Sequence, residues 1–235
     1  MSIKVQSLSK HYDKQRSVDD ISFSAEAGRI VGFLGPNGAG KSTTMKMLSG
    51  YLQPTSGTAE ICGLDVQKDP LAVKKLMGYL PEHTPLYADM YVKEFLLFVA
   101  NTYGLKDAGL RVKETIEAVG LGAEQSKKIS MLSKGYKQRV GLAQAIIHDP
   151  KVLILDEPTS GLDPNQLTEI RGLIRKLGKD KTVILSTHIM QEVEAVCDEL
   201  IIINKGRIVA NETIEALKAK HGSQSLEEIF RKLTS

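Results

Sequence analysis

The stretch GPNGAGKST, residues 35–43, restricts the fold of this chain more than any other. It satisfies the spacing G-x-x-x-x-G-K-[ST] and lies between an apolar run, IVGFL, and a stretch with helical spacing, KSTTMKMLSG. The expected order is strand, glycine loop, helix. Gly35, Gly38 and Gly40 let the backbone wrap closely around an anion with its N–H groups inward, and Pro36, Asn37 and Ala39 complete the turn. The helix amino end adds a favourable field. Lys41 is then placed to reach the β and γ phosphates of a nucleotide, and Ser42 offers its hydroxyl to Mg²⁺, with Thr43 closing the motif. A glycine-rich turn beside a surface lysine is the alternative. With glycine at about 7% of residues, a chance match in a chain of this length is expected about once in a hundred chains, before the flanks are counted.

The rest of the chain supplies an α/β frame. Charged turns separate IKVQSLSKHY, SVDDISFSAEAG and RIVGFLG, which read as strands, and PTSGTAEICGLDV is strand-like between glycines. From Tyr136 onward helix and strand alternate: YKQRVGLAQAIIHD, KVLILDEP, NQLTEIRGLIRKLG, KTVILSTH, MQEVEAVC, then ELIIINKGRIVA. That alternation predicts a mostly parallel sheet. Between them YVKEFLLFVANTYG and GLRVKETIEAVGLG carry apolar residues at helical spacing and end near glycine, so a helical subdomain inserted at roughly 85–150 is expected within one domain spanning 1–235. In the tail, two short helices flank HGSQS, and Leu226, Ile229, Phe230 and Leu233 share a face expected to pack on the domain.

Two further strand ends carry candidate chemistry. KVLILDEP ends in Asp156 and Glu157, whose neighbouring positions would point to opposite sides of a strand. Asp156 could hold Mg²⁺ through its water shell and Glu157 could polarise an attacking water, the alternative being a pair of solvated carboxylates. His188 follows the β-branched run VILST. It could donate to a γ-phosphate or orient water, or simply cap the next helix.

Composition excludes several classes. A net charge of +3 on 235 residues gives little reason for a dedicated nucleic-acid surface, and the basic stretch SKKISMLSKGYKQR has few aromatics. Cys62 and Cys197 lack metal-ligand spacing, so reduced thiols are expected. The amino end lacks the apolar core of a secretory signal, and runs such as FLLFVA fall far short of the ~20 apolar residues of a membrane span.

The order of glycine loop, LSKGYKQR (132–139), acidic strand end, SGLD (160–163) and His188 resembles the ATP-binding subunits of ABC transporters, over nearly the whole length. The resemblance implies a head-to-tail dimer, either of two copies or with a homologous subunit, enclosing two ATP molecules. Ser133 and Gly135 look like the signature residues that close over the γ-phosphate held by the partner, and Gln138 and Arg139 complete the signature pattern. Tyr12 matches the aromatic that stacks on adenine, although an ordinary sheet-edge tyrosine would read the same. Asp163 looks like the residue of the loop that crosses the dimer, Glu157 like the catalytic base and His188 like the switch histidine. Separate transmembrane permease subunits are implied as partners at the cytoplasmic membrane face, and no nucleic acid. Where the family usually has a glutamine that touches Mg²⁺ or the attacking water, this chain has Glu82, in the proline-flanked stretch YLPEHTPLY (79–87). A carboxylate lacks the amide's donor and adds charge near phosphates, which leaves metal ligation or partner contact as alternatives. The insertion, LPE and the SLEEIF tail are similar to ABC-2 type exporters, and the opening and tail resemble the ATPase associated with bacterial gliding motility. A soluble ABC-type ATPase switching a protein or nucleic-acid complex is the other functional class.

Overall fold

The computed structural model describes residues 1–13, 15–222 and 224–235; Lys14 and Ser223, the latter within the expected tail linker, lie outside them. The first strands, β1 (Ile3–Tyr12) and β2 (Gln15–Ala25), form an antiparallel sheet with β4 (Ser56–Ile61) and the short β5 (Leu64–Asp65), in the order β2-β1-β4-β5. The larger sheet takes β3 (Ile30–Leu34), β6 (Met77–Leu80), β7 (Val152–Asp156), β8 (Thr182–Thr187), β9 (Glu199–Asn204) and β10 (Arg207–Thr213). Its order is β10-β9-β3-β8-β7-β6, parallel except for the β9–β10 hairpin. The strand before the glycine loop is therefore interior, flanked by β9 and β8.

Buried strands of this kind are apolar on both sides, and the alternation of their side chains divides two cores. Val152 and Ile154 of β7 face one core, with Val31, Phe33 and Ile184, under α1 (Lys41–Leu48) and the antiparallel sheet. Leu153 and Leu155 face the other, with Val183 and Leu185. That second core is roofed by α3 (Val92–Thr102), α4 (Ala108–Ala118), α5 (Lys134–Ile146) and α6 (Pro164–Gly178). Helices α3, α4 and α5 all fall between β6 and β7, so the α/β core with an antiparallel amino-terminal sheet and an inserted helical subdomain is as expected. The short α2 (Pro70–Leu76) leads into β6.

A third cluster gathers Leu34, Val193 of α7 (Met190–Val196), Leu200 and Ile202 with the tail. The tail comprises α8 (Ile214–His221) and α9 (Leu226–Thr234), and Leu226 and Ile229 are buried in that cluster. Its capping box is explicit: Glu228 accepts from the Ser225 N–H at 2.7 Å and the Ser225 hydroxyl accepts from the Glu228 N–H at 3.2 Å. Cys62 and Cys197 are both free thiols, and burial pushes Cys197 up to about 12. Among the described residues, no helix is long and apolar enough to cross a membrane.

Candidate functional site: a phosphate cleft at the ends of parallel strands

The glycine loop leaves the end of β3 and enters α1, and two glycines are required by its geometry. A Cβ on Gly35 would lie 2.4 Å from the Ile203 carbonyl oxygen. Gly40 has φ 108° and would bring a Cβ to 2.5 Å from the Ser17 carbonyl oxygen, so both positions exclude any side chain. The loop is thus pressed against β9 and β2 with its other side open. There it borders a cleft of about 450 Å³, lined by Asn37, Gly38, Gly40, Lys41, Ser42 and Thr43. Across the cleft stand Glu82, Glu157 and His188.

Lys41 is buried along its length, and its ammonium donates to the carbonyls of Gly35 at 2.8 Å and Pro36 at 3.3 Å. It also stands 3.6 Å from Glu157 Oε1. His188 Nδ1 lies 2.9 Å from Glu157 Oε2, with the imidazole half exposed to the cleft. Glu157 is therefore held between a cation and a histidine. Ala39 is buried, and its carbonyl accepts from the Gly206 N–H at 3.0 Å, anchoring the loop to the β9–β10 turn.

Asp156 sits behind Ser42, whose hydroxyl donates to Asp156 Oδ1 at 3.2 Å; the hydroxyl of Ser186 donates to the same oxygen. Burial raises the Asp156 pKa above the usual carboxylate range, the two serine hydroxyls oppose this, and the negative charge of Glu82 adds to it. Glu82 is thus electrostatically in touch with Asp156 while lining the cleft itself.

One sequence expectation is corrected. Glu157 was expected to diverge from Asp156 through strand alternation, but β7 ends at Asp156 and Glu157 has φ 50°. The left-handed turn, rather than the pleat, swings its carboxylate to the lysine. Such a conformation costs a non-glycine residue on the order of 1–3 kcal/mol and persists only where its surroundings hold it. The Glu157 N–H is bonded to both the carbonyl and the hydroxyl of Ser186, each at 3.1 Å.

The remaining expected residues lie outside this cleft. Tyr12 is half exposed at the end of β1, with the Lys10 ammonium 5.2 Å from its ring centre. Ser133 caps α5, accepting from the Tyr136 N–H at 3.4 Å, and buried Gly135 packs against Gln166 of α6. Gln138 lines a separate groove beside Glu82, His83 and Lys134. Asp163 caps α6, its Oδ1 accepting the N–H groups of Asn165 and Gln166, each at 3.0 Å. Sequence reasoning missed Gln15 and Ser17, which line the cleft, and Ser186. Ser17 reaches Thr43 by a hydroxyl contact of 2.8 Å. A serine inside the apolar run VILST was a usable signal for Ser186; no spacing pointed to Ser17.

A glycine loop between a parallel strand and a helix, with a buried lysine and an acidic neighbouring strand end, defines a P-loop NTPase. The ABC transporter family description matches residues 18–160, and the chain belongs to that family. It is an ATP-binding, ATP-hydrolysing subunit of an ABC transporter. It is 40% identical over 221 residues to the bacitracin transport ATP-binding protein BcrA of Bacillus licheniformis, covering 93% of this chain and 72% of that one. It is 36% identical over 219 residues to the ABC transporter ATP-binding protein NatA of Bacillus subtilis, covering 92% and 89%. A solved ATP-binding subunit of an ABC transporter superposes with a TM-score of 0.90 at 32% identity, covering 100% of both chains. The dimeric structure of a bacterial ABC transporter cassette gives 0.82 at 23% identity, covering 90% and 98%, a likeness of fold.

Proposed function

We propose that Glu157 is the general base of ATP hydrolysis and that the chain drives separate permease subunits of an ABC-2 type exporter from the cytoplasmic membrane face. The observation that carries the first part is the buried Glu157 carboxylate, 2.9 Å from His188 and 3.6 Å from Lys41 in the phosphate cleft. In this reading the loop N–H groups and Lys41 bind the β and γ phosphates, Glu157 takes the proton of the attacking water, and His188 orients it. Tyr12 stacks on adenine. The donors Ser42, Asp156 and Glu82 are all hard oxygens and two are carboxylates, which fits Mg²⁺ together with water and phosphate ligands. When bound, the ion would neutralise charge on the phosphates.

Ser133, Gly135, Gln138 and Asp163 line no part of the cleft, which favours their use across a head-to-tail dimer. The segment from Pro81 to Pro85 borders both the phosphate cleft, through Glu82, and an adjoining cavity of about 540 Å³ with Tyr51 and Tyr79. That double contact supports a lever from nucleotide to permease, with the 85–150 insert as the moving subdomain. Relatives named for bacitracin transport, linearmycin resistance and Nod factor export support an exporter. Within that class the opening and tail carry the narrower reading of a gliding-motility-associated ATPase.

Glu157→Gln should bind ATP as the parent does and lose hydrolysis by about a hundredfold or more. A variant hydrolysing at the parent's rate would remove Glu157 from this role. Purification from membranes should recover a polytopic partner, and a consistently soluble set of partners would favour the switch reading.

A further inference from the structure

Behind the cleft lies a carboxylate that no expectation used. Glu192 of α7 is 1% exposed. Its Oε1 accepts the hydroxyl of Thr159, two residues after Glu157, and its Oε2 accepts the hydroxyl of Thr187, the residue before His188. Thr187 Oγ1 in turn accepts the Ile189 N–H at 3.0 Å. One side chain is thus bonded to both segments that carry the Glu157–His188 pair.

The residue type is informative. An apolar side chain would fill this position at less desolvation cost, as Val193 and Val196 do on the same helix. A carboxylate supplies two acceptor oxygens, here aimed at the turn after β7 and at the end of β8. Glu157 also needs restraint on both sides of its φ of 50°. Ser186 holds its N–H upstream. Downstream, the Ser160 N–H donates to the Glu157 carbonyl at 3.1 Å, and the Thr159 hydroxyl is fixed by Glu192.

We propose that Glu192 is a positioning residue for hydrolysis: by tying Thr159 to Thr187 it fixes Glu157 against His188, and so sets the rate of the chemical step rather than ATP affinity. This rests on Glu157 as the base. Small displacements of a catalytic group lower kcat without a matching loss of binding.

The test is ATPase kinetics of the full chain with ATP-analogue binding measured alongside. Thr159→Val removes the hydroxyl while keeping the shape, and should lower kcat about tenfold with KM and analogue affinity within about twofold. Thr159→Ser, which keeps the hydroxyl, should stay within about twofold of the parent kcat. Glu192→Ala should match Thr159→Val, and the double variant should be no slower than the slower single. Equal rates for Thr159→Val and Thr159→Ser, multiplying losses in the double variant, or a raised KM at unchanged kcat would each overturn the proposal. If Glu192→Ala fails to fold, the Thr159 pair still decides. Glu157→Gln run in parallel separates the two readings. A fully active Glu157→Gln removes the base, whereas an inactive Glu157→Gln beside a fully active Thr159→Val removes only the tie.

Discussion

The charge of Glu82 favours the protonated form of Asp156, against the opposing charge of Lys46. For Asp156 burial is the larger cause and the charge of Glu82 a further one, so its pKa is held above the usual carboxylate range. The sign follows. A raised carboxyl pKa contributes stability below the unfolded value that is lost as pH rises through the folded one, whereas a divalent cation takes only the deprotonated form. Mg²⁺-dependent hydrolysis should therefore fade as pH falls through this raised pKa. Glu82→Gln removes one raising cause, so the acid limb of the rate profile should move to lower pH; a limb that stays put would separate Glu82 from Asp156. At this scale the sequence was informative where a motif is contiguous, as in residues 35–43. It was silent where partners arrive by pairing: Ser17 meets Thr43 only because β2 passes the glycine loop, and Glu192 meets Thr159 only because α7 packs behind the turn after β7.

Helix caps explain part of what looked like recognition chemistry. Asp163 is spent on the amino end of α6, where Pro164 occupies the first turn, and Ser133 likewise caps α5. Asp163→Ala should cost about 1 kcal/mol of stability, while Asp163→Ser should keep the cap. If Asp163 also serves the partner subunit, both variants should weaken ATP-dependent dimerisation in sedimentation equilibrium; a defect confined to Asp163→Ala would assign it to the helix alone. Element types were legible because β7 and β8 are short runs rich in Val, Ile and Leu and α3 has helical spacing. Contacts between elements were not. Tyr103 after α3 stacks on His148 after α5 with ring centres 3.9 Å apart, and Arg111 of α4 donates to the Ile147 carbonyl at 2.7 Å. Together they clamp α3 and α4 to the end of α5, and neither aromatic stands in any recognisable pattern.

Across the whole molecule, chain order and spatial order differ. The strands that end in Leu34, Asp156 and Thr187 are far apart in sequence yet consecutive in the sheet as β3-β8-β7, which brings the glycine loop, both acids and His188 to one edge. Alternation of helix and strand predicted a parallel sheet; it carried no information on which strand would be central. The third cluster adds a connection that motif spacing does not contain. Leu34, the last residue of β3 before the glycine loop, shares that cluster with Leu226 and Ile229 of α9. Whatever steadies the loop steadies the backing of the final helix, so by linkage ATP should slow amide hydrogen exchange in residues 226–234 as well as in the loop. Ile229→Ala, at a fully buried position, should cost about 2–5 kcal/mol and abolish the distant part of that protection, whereas protection limited to the loop in the parent would show the two to be independent. The closing helix would then serve as a built-in reporter of nucleotide occupancy, readable by mass spectrometry without a label anywhere near the phosphates.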